Sequence, residues 1–361
     1  MNIIVDKKTL HGAVSIVEKA VSSKNINRIL YGIYLSADDG LTLKATDLDI
    51  SIESKIEANV IEKGDIVLNS AMFADIVRKL PVDEVSMKKE GNLVRIYSGD
   101  VKFDLNVLSG EEFPDFPTVN SDEIIILDSQ SLKTAYNMTV GYTSQDDTRP
   151  TLKGILMEFV DNKLIFVGLD GYRLCKYTIK DVKNEEKKII VPAKTIRELI
   201  KILPDEGEIE VASSLNHIVF KFDGNTIYSR LIQGNYFDYD RILSKNFTEK
   251  ALMDKAAFRN AVERANIMNR DGENQAARFS FSRDELVVEL KGRYGDMIDK
   301  IPIKTETGDL TIGFNPRFIL NALLFFEDEV LMEFIDPLSP AILTDPSNDS
   351  FVHLILPVRL S

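Results

Sequence analysis

Cysteine is almost absent from this chain. Cys175 stands alone among 361 residues, which excludes an internal disulfide and a cysteine-based zinc site. Long apolar runs are missing as well, and none approaches the ~20 residues that a membrane helix needs. The opening residues, Met1-Asn2-Ile3-Ile4-Val5-Asp6-Lys7, lack the basic stretch and apolar core of a secretory signal, so a cytoplasmic location is expected. Positive charge is in deficit, with 44 Lys and Arg against 57 Asp and Glu and a net charge of −13. Taken as a total, that balance argues against contact with nucleic acid, whose phosphates call for cations.

Catalytic groups are just as sparse. No Gly-x-x-x-x-Gly-Lys-Ser/Thr loop is present, which excludes a P-loop nucleotide site. Zinc-finger spacing and a helix-turn-helix signature are absent. The three histidines, His11, His217 and His353, are scattered one to each third of the chain and read as surface or strand residues. Asp47 and Asp49 have the spacing of one strand face, yet no third ligand lies near them, so they read as solvated edge residues rather than a metal site. Cys175 follows Leu174 in a strand, has no base beside it, and reads as an inert structural thiol. No catalytic site and no cofactor is expected.

What is present is a repeat. Leu10-x-x-Ala13-Val14, Leu132-x-x-Ala135-Tyr136 and Phe258-x-x-Ala261-Val262 share one pattern at offsets of 122 and 126 residues. Ala71, Ala193 and Asn315 sit within a second matching set, spaced by 122 each time. Gly32-Ile33-Tyr34-Leu35 and Gly154-Ile155-Leu156-Met157 are also 122 apart. Three units follow, with boundaries expected at 1–120, 121–248 and 249–361. The hydrophobic content of 44 % is enough for a core in each.

Within a unit the pattern alternates between two periods. Leu10, Ala13, Val14, Val17 and Val21 mark one face of a helix, as do Phe73, Ile76, Val77 and Leu80, and Ile319, Ala322, Leu323 and Phe326. Pro81 and Pro204 terminate two such helices. Between them, Leu41–Ala45, Leu93–Tyr97 and Ile218–Phe222 alternate with the period of antiparallel strands covered on one face. Asp38-Asp39-Gly40, Asp161-Asn162 and Asp223-Gly224-Asn225 supply turns. The expected fold class is α+β: three similar domains, each with helices covering one face of antiparallel sheet. Gly110-Glu111-Glu112-Phe113-Pro114-Asp115-Phe116-Pro117 reads as a turn with aromatic anchors. Leu169-Asp170-Gly171-Tyr172-Arg173-Leu174 reads as a hairpin turn that sets an aromatic, a guanidinium and an aliphatic side chain together.

Sorting the charge by element changes its meaning. The six helical windows, 6–28, 71–80, 129–145, 193–203, 255–271 and 315–326, carry +3, +1, +1, +2, +2 and +1 inside an acidic chain. Lys and Arg are good helix formers, which is one explanation, but Glu is equally good and is scarce here. The other explanation is a basic layer facing phosphates without reading bases. A rival reading is an acidic protein-interaction scaffold that never touches DNA. An enzyme with Asp47, Asp49 and histidines in a cleft is a further rival.

The chain resembles the bacterial DNA polymerase III β subunit family, the replicative sliding clamps. The resemblance spans the full length and rests on Ala45-Thr46-Asp47-Leu48, Gly110–Pro114, Leu169–Leu174 and Leu356-Pro357-Val358-Arg359-Leu360, in that order on a threefold repeat. It implies a non-enzymatic processivity factor: a head-to-tail dimeric ring, helices lining the hole, sliding on double-stranded DNA. Lys24, Arg78, Gln145, Arg149, Lys194, Arg197 and Lys201 would face the DNA, whereas Ala71 replaces a basic residue of some relatives. The resemblance also implies a hydrophobic groove that captures linear motifs of the replicative polymerase, the clamp loader and repair proteins. Its walls would be Leu152, Leu169, Gly171, Tyr172, Arg173, Leu174, Arg241 and Ile242 with Leu356, Pro357, Val358, Arg359 and Leu360, joined by Asn315, Phe318 and Pro340. Tyr172 stands where histidine is common, Phe237 where proline is common, and Ser361 is an extra residue. Phe103 and Leu105 would meet Ile267 and Met268 of the other copy across the dimer interface.

Overall fold

Each repeat opens on a short strand that runs into a helix capped by an acidic or amide side chain. In a computed structural model, which describes residues 1–22, 27–119, 123–183, 185–269, 275–293, 295–305 and 308–360, the helices are α1 (Lys7–Val17), α2 (Ser70–Lys79), α3 (Ser129–Val140), α4 (Ala193–Ile202), the short α5 (Asp240–Leu243), α6 (Lys255–Ile267) and α7 (Pro316–Leu323). Asp6 accepts from the Thr9 N–H at 2.8 Å, Asp128 from Ser131 at 2.8 Å and Asp254 from Ala257 at 2.7 Å, one at the head of each repeat. Asn69 and Asn315 do the same for α2 and α7. Such caps satisfy backbone donors that the helix itself leaves open. α1 buries Leu10, Ala13, Val14 and Val17, and α6 buries Phe258, Ala261, Val262 and Ala265 at the same spacing.

The chain divides into two compact units, Met1–Lys133 with Lys194–Ile232, and Thr134–Ala193 with Gln233–Ser361. The first holds a five-stranded and an eight-stranded antiparallel sheet, the second a four-stranded and a nine-stranded one. Both large sheets join strands from successive repeats. In the first unit Ile50–Ile56 pairs with Asn225–Arg230, with Ile52 opposite Ile227. In the second, Arg173–Lys180 pairs with Asn348–Ile355, with Cys175 opposite His353. The small sheets each end on an open strand. Among the described residues, nothing pairs with the outer side of Val101–Asn106 or of Gly295–Pro302.

Aromatic rings fill the second unit's core. Phe279 meets Phe258 edge-on at 6.3 Å and Phe314 at 5.6 Å. In the first unit, the Gly110–Pro117 stretch lies against the sheet. Phe113 stacks on Tyr34 at 5.3 Å and Phe116 meets Tyr228 edge-on at 5.7 Å. Gly110 lets the stretch sit close, since a Cβ there would lie 2.1 Å from Asp65 Oδ2 and 2.7 Å from the Tyr34 ring, and both side chains would have to shift. The Asp161-Asn162 turn has φ of 51° and 57°, the paired left-handed residues of a tight hairpin.

Candidate functional site

The hairpin of Lys163–Leu169 and Arg173–Lys180 closes with Leu169 opposite Leu174. Gly171 takes φ of 95°, a conformation that costs a glycine nothing. Asp170 builds the turn: its Oδ1 accepts from the N–H groups of Tyr172 at 2.9 Å and Arg173 at 3.0 Å. Its Oδ2 accepts from Arg173 Nε at 2.9 Å, and Arg173 Nη2 donates to the Gly141 carbonyl at 2.9 Å. The guanidinium carbon lies 4.7 Å from the Tyr142 ring centre and 4.6 Å from that of Phe318. Tyr172 stands outward, 65 % exposed, with its ring 6.4 Å from Phe318.

The last residues run alongside. The Leu356 N–H donates to the Tyr172 carbonyl at 2.8 Å, and the Val358 N–H to the Gly313 carbonyl at 2.8 Å. Gly313 leaves the room for this, since a Cβ would meet Val358 O at 2.4 Å and Leu360 at 2.8 Å. The result is an aromatic and aliphatic shelf with one fixed cation, suited to apolar side chains of an extended peptide.

Several expected groove residues prove to be support rather than surface. Leu152, Leu169 and Leu174 are buried, Leu174 to 1 % exposure. Asn315 is buried and caps α7, and Pro340 is buried ahead of Ala341–Asp345. Arg241 is exposed and Ile242 half-buried on α5; among the described residues, no hydrogen bond or ring contact ties either of them, or Pro340, to this cluster. Pro357 and Leu360 are half-buried and Arg359 is exposed. Phe237, where proline is common among relatives, is 48 % exposed. Ser361 lies outside the described residues. Tyr142, absent from the sequence reading, is 2 % exposed and forms the floor beneath Arg173.

Beneath that floor lies His353, fully buried among the rings of Tyr142 at 5.3 Å, Phe351 at 5.4 Å, and Phe325 and Phe326 at 5.8 Å. Burial, reinforced by the Arg173 charge, pushes its pKa down to about 3, so the ring is neutral at ordinary pH. Cys175, its cross-strand neighbour, is fully buried, and burial pushes its thiol well above the usual range. An aromatic disulfide reagent is therefore expected to find no reactive thiol in the native protein and one after denaturation. A native thiol that reacts at once would contradict this packing.

The residues assigned to DNA are exposed where the structure describes them. Lys24 lies outside the described residues. Arg78 on α2 pairs with Asp75 at 2.8 Å, and Lys201 on α4 with Glu198 at 2.9 Å. Arg197 is exposed on the same helix. Gln145 and Arg149 follow α3, with Arg149 4.0 Å from Asp146 and beside the groove hairpin, 3.0 Å from where a Gly171 Cβ would stand. Exposed pairs like these are worth ~0–1 kcal/mol, so they do not prevent exchange of a carboxylate for a phosphate.

Lys194 pairs with Asp47, which overturns one expectation. Asp47 and Asp49 do not share a strand face. They flank Leu48, at φ of 80°, in the turn between Leu41–Thr46 and Ile50–Ile56. Asp47 Oδ1 accepts from the Asp49 N–H at 3.0 Å and the Ile50 N–H at 2.9 Å. Its side chain is 9 % exposed, a turn-former rather than a solvated edge residue. Among the described residues, no group of three His, Cys, Asp or Glu is placed to hold a metal, and no helix is long and apolar enough to cross a membrane.

Of the residues assigned to the dimer interface, Phe103 and Leu105 lie on one side of the open strand Val101–Asn106, both half-buried. Ile267 ends α6, 55 % exposed, and Met268 caps it. The open edge strand Gly295–Pro302 adds Ile298, 64 % exposed, a residue that sequence pattern does not single out.

Residues 1–117 match the N-terminal domain of the DNA polymerase III beta subunit, residues 126–238 its central domain and residues 240–359 its C-terminal domain. The chain is similar to the beta sliding clamp of Staphylococcus aureus, with 33 % identity over 359 residues covering 94 % of each. It is similar to that of Halalkalibacterium halodurans at 31 % over 378 residues, covering 99 % of this chain and all of the relative. The crystal structure of the DNA polymerase sliding clamp from Bacillus subtilis superposes with a TM-score of 0.96 at 29 % identity over the whole of both chains.

Proposed function

The chain belongs to the DNA polymerase III beta subunit family, and from that premise we propose that it closes with a second copy into a ring around duplex DNA and tethers a polymerase there. It is a DNA sliding clamp and processivity factor, with domains bounded at 1–120, 121–248 and 249–361. One observation carries the ring. Successive repeats join by one pairing used twice, Ile50–Ile56 with Asn225–Arg230 and Arg173–Lys180 with Asn348–Ile355. One repeat beyond Arg173–Lys180 lies Gly295–Pro302, and one repeat before Asn225–Arg230 lies Val101–Asn106. Both are open edge strands of the small sheets. An identical copy offers the complement of each, and a head-to-tail pair covers both of these edges. Phe103 and Leu105 of one copy then face Ile267 and Met268 of the other.

The exposed cations of α2 and α4, with Gln145 and Arg149, contact phosphates without reading bases. The Tyr172–Phe318 shelf and the C-terminal tail receive linear motifs of the replicative polymerase, the clamp loader and repair proteins, which raises the polymerase's effective concentration at the primer end. The role is non-enzymatic and cytoplasmic. With no P-loop in its sequence, the chain relies on an ATP-driven loader. The test is retention on nicked circular duplex after loading with loader and ATP. Retention is expected to be long on the circle, to collapse when the circle is linearised, and to shorten with Arg78→Ala and Arg197→Ala at raised salt. Equal residence on circle and line would refute the ring.

A further inference from the structure

Arg173 is held at one edge and on both faces. Its Nε and Nη2 are fixed by Asp170 and Gly141, both at 2.9 Å. Its Nη1 is buried without a hydrogen-bond partner. Hydrogen bonds therefore fix only part of the guanidinium plane, and the two ring faces must fix the rest. Phe318 supplies the outer face and is half-buried on α7. Tyr142 supplies the inner face, at 4.7 Å, and is backed in turn by the His353 ring at 5.3 Å. The stack passes from solvent to core: Tyr172 at 65 % exposure, Phe318 partly covered, Arg173 side chain at 11 %, Tyr142 at 2 %, His353 at 0 %.

Tyr142 is itself rigidly placed. It follows Gly141, the residue whose carbonyl Arg173 binds. Its N–H donates to Thr139 O at 3.0 Å, and the strand passes so close at Gly168 that a Cβ there would lie 2.2 Å from Thr139 O and 3.1 Å from Tyr142 Cβ. Its hydroxyl is buried without a partner, so the ring and not the hydroxyl is what the fold uses. His353 is neutral and has no hydrogen-bond partner at either nitrogen; it too contributes a ring face.

We propose that Tyr142, with His353 behind it, is the positioning residue of the peptide groove: its ring locks the Arg173 guanidinium in the orientation that a docked peptide meets. This rests on the groove reading above. A groove that presents a pre-oriented cation loses less on binding than one that must order it. Tyr142 touches no peptide; it acts through Arg173.

The test has two arms. In the free protein, the heteronuclear NOE of the Arg173 Nε–H is expected to fall in Tyr142→Leu and to be retained in Tyr142→Phe. This arm needs no ligand and so is independent of the groove reading. In the second arm, a fluorescein-labelled heptapeptide bearing leucine and phenylalanine is titrated in. Tyr142→Leu is expected to weaken binding about tenfold, Tyr142→Phe less than about twofold, and Tyr142→Leu to add less than about twofold on top of Arg173→Ala. An unchanged NOE in Tyr142→Leu, or the same loss with and without Arg173, overturns the proposal, the latter marking general destabilisation. Wild-type protein that does not bind the peptide, with the NOE falling as expected, overturns the groove reading and leaves the Tyr142–Arg173 coupling standing.

Discussion

A chain carrying Leu105→Asp and Ile298→Asp is expected to run as a monomer of 40.7 kDa under conditions where the unaltered chain runs at twice that mass, and to leave circular DNA as fast as linear DNA. Leu105 lies on Val101–Asn106 and Ile298 on Gly295–Pro302, an open edge strand of each small sheet. In a head-to-tail pair each interface contains one of each, so the double variant sets two carboxylates into both interfaces. A desolvated, unpaired carboxylate opposite another costs at least ~2 kcal/mol per interface. Two interfaces then give ~4 kcal/mol, or about a thousandfold in dissociation constant. Ile298 is 64 % exposed, so its substitution alone should leave melting of the free subunit within a few degrees of the unaltered chain, whereas Leu105 is half-buried and its substitution lowers the melting temperature while the monomer stays folded. Light scattering behind a sizing column reads the mass. A dimer that survives both substitutions would mean that the open strands are not the joint, whatever the chain does on DNA.

How much of this could be read beforehand depends on the distance over which a residue acts. The 122-residue repeat was legible because a period of 3.6 or of 2 survives when identities do not: Leu10 and Leu132 hold the same place on a helix face, and Gly32 and Gly154 both open a strand after a short 3-10 turn. The Asp170-Gly171 turn was legible because its chemistry is local. Its carboxylate's second task, holding Arg173, was not, although the two are three residues apart, since nothing in a pattern says which way a guanidinium folds. Asp47 was misread for a related reason. Alternation suggested a strand continuing through Asp49, but the left-handed Leu48 between them reverses the chain, and Lys194 from another repeat completes the site. Tyr142 was invisible: its partners Arg173 and His353 lie on strands far apart in sequence, and only the sheet that joins successive repeats brings them together. The N-terminal caps Asp6, Asp128 and Asp254 were available as signals, each one residue before a helix, and would have sharpened the repeat.

The tail offers the sharper separation of roles. A chain ending at Ile355 is expected to lose peptide binding by about fiftyfold or more while its mass, its melting temperature within a few degrees and its retention on circular DNA are kept. Two backbone bonds hold this segment, Leu356 to the Tyr172 carbonyl and Val358 to the Gly313 carbonyl, both 2.8 Å, and Val358 is already 39 % exposed. Its removal strips one wall of the shelf and little of the core. Leu174→Ala is a poorer probe of the same groove. At 1 % exposure it is core, and its truncation costs ~2–5 kcal/mol of stability, which would blur any loss of affinity. Gly313→Val is the better companion. A Cβ at that position meets Val358 O at 2.4 Å and Leu360 at 2.8 Å, so the tail must lift while remaining in the chain, and a loss of affinity smaller than that of the truncation is expected. The labelled heptapeptide reads affinity and the loaded circle reads retention in the same preparations. A truncated chain that binds the peptide within about twofold of the full one would remove the tail from the groove. One that loses the circle as well would place the tail in the ring instead.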